Sequence, residues 1–368
     1  MAYGTINADQ IGTSVVGSNL GAGNASIMKN RIINGAMVID QRNNGSSVTP
    51  TVDNTYTLDR WSTGLSQASK FSVQQNAGSV TPPIGFSNYL GVTSLAATSL
   101  GAGDYFLLKY TIEGFNTSDL QFGTANAKTI TLSFQVYSSL TGTFGGALQN
   151  GAQNRSYPFS YSIPVANTWT TISVTIAGDT SGTWVGATNG KGLSVWYGLG
   201  TGSTYSGTAG AWATGTYFAP TGATSVVGTN GATFYITGVQ LEVGSSATGF
   251  EYRQYQQELA LCQRYCFVPN MTNSYYIGGC NGPNSALATI PLSVQMRAAP
   301  TGTFSGAFGG DNFSVAQSFT AGNVSVNASS VNSARIYFTS GSGSSFSAAQ
   351  AFTTDSGSTG TVILSSEL

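Results

Sequence analysis

Short runs that alternate polar and apolar residues, each closed by a turn signal, set the architecture this chain can reach. The run Thr129–Tyr137 (TITLSFQVY) puts an apolar side chain at every second position, the period of a strand buried on one face. Residues 170–176 repeat that pattern. Further strand candidates are Lys70–Gln75, Tyr105–Ile112, Gly192–Leu199 and Thr233–Leu241. No helical segment separates them, so a parallel βαβ arrangement is excluded. The pattern predicts an all-β fold with a jelly-roll-like antiparallel sandwich.

One stretch breaks the pattern. Residues 250–267, FEYRQYQQELALCQRYCF, carry Glu251, Arg253, Glu258 and Arg264 in a chain that is only 7% charged, against about 25% in ordinary soluble proteins. Tyr252, Tyr255, Leu259, Cys262 and Cys266 recur at spacings of three and four, which places them on one face of a helix. The stripe covers roughly two heptads, too little for a free coiled coil, so it must be buried against the β domains or sister subunits. Four segments follow: 1–28 as an extended arm, 29–249 as the β-sandwich, 250–267 as a junction helix, and 268–368 as a second β domain. For residues 1–28 two readings stand, an arm that orders on a partner and a flexible leader. The run Ile32–Ile39 reads as a first core strand broken at Asn34-Gly35. Lys29, Arg31, Asp40, Arg42, Asp53, Asp59 and Arg60 crowd one short span and are expected to pair locally, in a structural role. In the last region, 309–312 (GGDN) and Gly322-Asn323 mark turns, while 334–339 and 360–364 read as strands.

Composition removes whole classes of function. Histidine is absent, which excludes Ser-His-Asp triads and nearly all ordinary zinc sites. A net charge of −1 with 13 scattered basic residues leaves no footprint for nucleic acid. No run of about 18 apolar residues is present, so no membrane insertion is expected. The opening MAYGTINADQ lacks the basic and apolar regions of a signal peptide, and synthesis in a cytoplasm is expected. Cys262 and Cys266 read as buried packing residues, an intermolecular disulfide being the alternative; Cys280 is the third cysteine.

Three separated stretches resemble tail-fibre and related virion proteins of tailed bacteriophages. They are NRIINGAMVIDQRNNG with the later YTLDRW, FYITGVQLEVGSSATGFEYRQYQQELALCQRYC, and PLSVQMRAAPT. The second is the most specific, because strand, Gly-rich link and helix follow in fixed order; the family usually has an aromatic where this chain has Cys266. The resemblance implies a virion component, frequently a homotrimer, with a β-sandwich similar to carbohydrate-binding modules. On that basis the expected function is that of a tail fibre or tail-tip protein attaching to a host-surface polysaccharide. Residues 1–28 would bind other virion proteins. The alternative is a purely structural virion protein, a head-decorating fibre or baseplate adaptor.

Glycan contact would fall to aromatics near turns, since sugar C–H faces stack on flat rings. Trp184, Tyr205, Trp212 and Tyr217 are the candidates; Trp169 and Trp196, in or beside strands, read as core. Glycan hydrolysis needs two carboxylates roughly 5–10 Å apart. Asp53/Asp59 and Glu251/Glu258 are the pairs to consider, and neither context suggests raised pKa values, so no enzymatic activity is expected. No cofactor is expected, and no acidic loop has the spacing of a calcium site, although a jelly roll can hold a structural calcium ion.

Overall fold

The computed structural model describes residues 29–272, 275–311, 316–339, 350–354 and 358–368; the arm expected at 1–28 lies outside them. Two antiparallel sheets face each other in the first domain. The larger runs, in spatial order, Tyr56–Leu58, Trp61–Leu65, Tyr105–Glu113, Lys191–Thr201, Gly142–Asn150, Arg155–Ile163 and Ala213–Thr214. The five-stranded sheet runs Phe71–Gln75, Leu90–Ser94, Thr233–Val243, Ile130–Ser138 and Thr170–Ile176. Successive strands cross between the sheets, as in a jelly roll. The alternation read from sequence is what fills the space between them: Ile130, Leu132, Phe134 and Val136 are buried, and Phe134 meets Tyr197 edge-on at 5.2 Å. Trp61 packs on Tyr110 from the larger sheet at 5.1 Å.

The hairpin Gly142–Asn150/Arg155–Ile163 was not legible as strands. Its glycines hide the alternation, and they are there for close packing. A Cβ on Gly146 would lie 1.8 Å from the Trp196 carbonyl oxygen, and one on Gly145 would lie 2.3 Å from that of Phe159. Pro158 is accommodated because its strand stands near the sheet edge, paired beyond only with Ala213–Thr214.

The strand expected at Ile32–Ile39 is instead a buried turn. Asn34 and Met37 both take φ near +58°, and the Met37 amide donates to the Asn34 carbonyl at 3.1 Å. The Asn34 side chain holds the turn shut. Its amide donates to the carbonyls of Ile39 (2.8 Å) and Asp59 (3.0 Å), and its oxygen accepts from the Ile39 amide (3.0 Å). The segment seats on Thr233–Val243, where the Val239 amide donates to the Gly35 carbonyl at 2.9 Å. Gly35 has no alternative there, since a Cβ would lie 2.1 Å from the Val239 oxygen.

In the C-terminal domain a seven-stranded antiparallel sheet runs Ala316–Thr320, Ala307–Asp311, Ala351–Thr354, Ile277–Gly282, Ser285–Pro291, Ser333–Thr339 and Val324–Ser329. A three-stranded sheet joins Cys266–Phe267, Thr361–Ser365 and Thr301–Ser305. Phe308, Phe319, Phe338 and Phe352 form the core. The turn expected at 309–312 is not one where it is described: Gly309, Gly310 and Asp311 continue a strand, and Gly310 lies under the Phe352 ring.

The junction helix, α1, is Tyr255–Gln263, shorter than its periodicity predicts. Tyr252 precedes it and is exposed, as is Tyr255 within it; Cys266 has already entered a strand. The buried face is formed by Glu258 and Cys262, with Leu259 and Leu261 half-buried against the sandwich core. The reason is electrostatic. Arg253 pairs with Glu258 (3.4 Å) and Glu251 (3.7 Å) and donates to the carbonyls of Asn30 and Ile32, while Glu258 accepts from the Asn34 amide. All three cysteines are buried free thiols.

The dense charges of residues 29–61 pair over long range, not locally. Arg42 and Arg60 both reach Glu367, Arg42 at 3.1 Å. The fully buried Arg60 guanidinium lies 3.6 Å from the centre of the Tyr265 ring and donates to the Thr111 carbonyl. Arg297 donates to the carbonyls of Ser366 (2.6 Å) and Glu367 (2.7 Å), and Tyr56 donates to that of Leu368 (2.9 Å). One polar hub thus gathers residues 30–60, 251–266 and 297 and clamps the C-terminal domain to the sandwich.

Glu113 belongs to this hub. It accepts from Arg264 at 2.6 and 3.0 Å and from the Tyr265 hydroxyl at 2.6 Å. Burial alone would raise its pKa, but Arg264 and Tyr265 outweigh it and hold the carboxyl below its usual 4.5. A depressed carboxyl contributes stability above its unfolded value, and that contribution is lost as pH falls through the folded value. Glu113→Gln is therefore expected to cost about 1–2 kcal/mol at neutral pH. In thermal melts the gap to wild type should narrow steadily once the pH drops below 4.5. A gap independent of pH would contradict this assignment.

Candidate functional site

Two crossover loops, 114–128 and 177–190, lie against each other at one side of the sandwich. Backbone bonds zip them together: the Phe115 amide donates to Thr188 (2.8 Å), Gly114 to Gly190 (2.9 Å) and Gly123 to Asp179 (2.7 Å). Each loop is also anchored by a forked ion pair. Arg155 grips Asp179 at 2.7 and 2.8 Å, and Arg31 grips Asp119 at 2.7 Å through both nitrogens. Bidentate pairs fix orientation as well as distance.

Between the loops opens a cleft of 390 Å³, lined among others by Phe122, Trp184, Val185, Thr117, Gln121 and Asn126. Its rings are set at right angles. Phe122 and Trp184 stand 4.8 Å apart at 81°, and Trp212 backs both, 5.7 Å from Phe122 and 5.4 Å from Trp184. Tyr157 supports Trp212 from the larger sheet at 5.3 Å. The indole N–H groups are spent locally: Trp184 donates to the Ser181 carbonyl (3.2 Å) and Trp212 to that of Ala177 (2.7 Å). Gly123 has φ +83°, and a Cβ there would lie 3.0 Å from the Trp184 ring, so glycine lets the loop approach the indole. Trp184 is half-buried and Phe122 buried behind it, and Gln121 and Asn126 are exposed beside them. No carboxylate lines the cleft. Flat apolar faces ringed by neutral donors and acceptors suit a polyhydroxylated, uncharged ligand.

Of the four aromatics singled out from sequence, Trp184 and Trp212 come together here and the other two do not. Tyr205 packs on Tyr105 (5.4 Å) and Phe218 (5.1 Å) over the outer face of the larger sheet. Tyr217 closes over Gly207 and Gly215. Trp196 is buried, but on that same outer face and not between the sheets. Trp169 joins Tyr89, Tyr137 and Tyr235 in a separate cluster outside the five-stranded sheet. Phe122, in the irregular stretch NTSDLQFGT, carries no periodic signal and was missed.

The acid pairs considered for hydrolysis are elsewhere. Asp59 is buried in the hub and accepts from the backbone and side chain of Gln41 (2.7 and 2.6 Å); burial pushes its carboxyl up to about 6. Glu251 and Glu258 serve Arg253. Among the described residues no three acidic or cysteine side chains gather as metal ligands, and no helix is long and apolar enough to cross a membrane.

The strand register defines the class: an all-β protein built on an antiparallel two-sheet sandwich. No protein-family model and no curated protein matches the chain. It has partial similarity to solved structures. A sugar-binding protein described as putative, from Bacteroides thetaiotaomicron, is 13% identical over 58% of this chain and 100% of that one, with a TM-score of 0.32. A family 11 carbohydrate-binding module from Clostridium thermocellum is 12% identical over 55% and 99%, TM-score 0.26. A module solved with beta-1,4-galactotriose is 9% identical over 58% and 99%, TM-score 0.28.

Proposed function

We propose that this chain is a virion appendage protein of a tailed bacteriophage that attaches to a host-surface glycan through the cleft at Phe122 and Trp184. The observation that carries the glycan reading is the cleft itself: perpendicular rings, the Trp184 indole half-buried at its wall, with a neutral polar rim and no carboxylate among its lining residues. The virion reading is supported by the stretches that resemble tail-fibre proteins. Their residues converge on the hub through Arg42, Arg60, Arg253, Arg264 and Arg297, as expected of a shared scaffold whose recognition surface varies. Attachment is non-catalytic in this reading. The exposed Tyr252 and Tyr255 beside the hub are offered as subunit contacts of a homotrimer.

That same convergence favours a second reading. The stretches shared with the family build scaffold and not the cleft, which a purely structural virion protein would also need. Binding to an array of bacterial surface polysaccharides separates the two. The first reading expects saturable binding to a neutral glycan and a loss of about tenfold in Trp184→Ala, the share of one stacked ring. Absence of binding, or an unaffected variant, would leave the structural reading standing.

A further inference from the structure

A second cavity, of 310 Å³, opens on the outer face of the larger sheet, and its lining includes Asp53, Asn54, Tyr105, Lys109, Lys191 and Trp196. Lys109 is the anomaly. It is only 2% exposed, yet it takes part in no ion pair among the described residues. Lysines are almost never so buried without a partner. Its ammonium makes one hydrogen bond, to the Asn54 side-chain oxygen at 2.8 Å, and lies 5.1 Å from the centre of the Trp196 ring. The single carboxylate of the cavity, Asp53, is turned to its neighbours: it accepts from the Leu65 amide (3.0 Å) and the Asn54 side chain (2.8 Å). Trp196, itself buried, keeps an indole N–H with no hydrogen-bond partner.

We propose that this cavity binds an acidic sugar, its carboxylate held between Lys109 and Lys191 and its ring against Tyr105. Two lysines line the cavity with one engaged carboxylate, so the site is short of negative charge. The volume suits one sugar ring, and the aromatic wall suits its apolar face. Burial, with repulsion from Lys191 and Arg60 that attraction to Asp53 does not offset, pushes the Lys109 ammonium down to about 8. A bound anion would relieve that cost, as an ion pair does for any buried charge. The site is separate from the Phe122–Trp184 cleft and stands or falls without it.

The test is a set of NMR titrations of the full chain with D-glucuronate, D-glucose and inorganic phosphate. Glucuronate is expected to bind at least tenfold tighter than either glucose or phosphate. Lys109→Met, which replaces the buried cation with an apolar chain of similar length, should keep the fold and lose at least tenfold for glucuronate. Lys191→Met, on the surface, should lose roughly threefold, and Trp184→Ala, in the other cleft, should leave the affinity for glucuronate unchanged. Equal binding of glucose, phosphate binding as tight as glucuronate, or an unaffected Lys109→Met would each overturn the assignment. Loss of glucuronate binding in Trp184→Ala would move the site to the other cleft and overturn it equally.

Discussion

Glu367→Gln should lower the stability of the folded chain by about 3–5 kcal/mol, the usual effect of removing one partner from a buried ion pair. Glu367 is the shared anion of Arg42 and Arg60, and its side chain is 5% exposed. Without it, Arg60 keeps only the Tyr265 and Tyr110 rings and the Thr111 carbonyl around its charge. Rings and a carbonyl do not replace a carboxylate for a guanidinium cut off from water. The double variant Arg60→Met/Glu367→Leu should recover most of the loss, because a buried pair exchanged for apolar side chains is often near neutral. Chemical denaturation of Arg60→Met, Glu367→Leu and the double variant, beside wild type, forms the cycle. Losses in the two single variants that simply add in the double variant would show that the hub carries no coupling.

Asn34→Ala should cost a similar amount, about 3–5 kcal/mol. The Ile39 amide and the carbonyls of Ile39 and Asp59 would lose their partner inside the core, at about 1–3 kcal/mol for each group left unsatisfied. Alanine would also have to adopt φ near +58°, where asparagine is among the better-tolerated residues. Asn34→Asp with its carboxyl neutral keeps the acceptor and one of the two donors, so near that pH it should fall between wild type and alanine. Equilibrium unfolding monitored by circular dichroism would check the order. A loss below 1 kcal/mol for alanine would mean the turn is held by its neighbours and not by Asn34.

Both residues lie where the sequence was hardest to read. Strands with clean alternation were legible almost to the residue: Thr170–Ile176 coincides, and Thr233–Leu241 extends only to Val243. Period-two burial is a local property, so it survives in a single sequence. The hairpin at 142–163 was not legible, because its glycines answer to carbonyl oxygens on neighbouring strands. The Asn34 turn failed as a strand for the same reason, its apolar neighbours being buried by a loop that seats on a distant strand. Helix α1 shows the reverse error. Its three-four spacing suggested an apolar stripe, yet Glu258 is buried and Tyr255 exposed, since Arg253 and the Asn34 amide fix which face turns inward. In the candidate cleft, Trp184 and Trp212 could be named from composition near turns. Their meeting with Phe122 depends on two loops zipped across 60 residues of chain, which no local pattern records.

The most direct measurement of the proposed function is competition by the purified full chain for adsorption of the phage proposed to carry it. The chain should reduce adsorption in a saturable manner, and Trp184→Ala should need about ten times the concentration for the same effect. A folded chain that leaves adsorption unchanged at saturating concentration would contradict host attachment through this cleft.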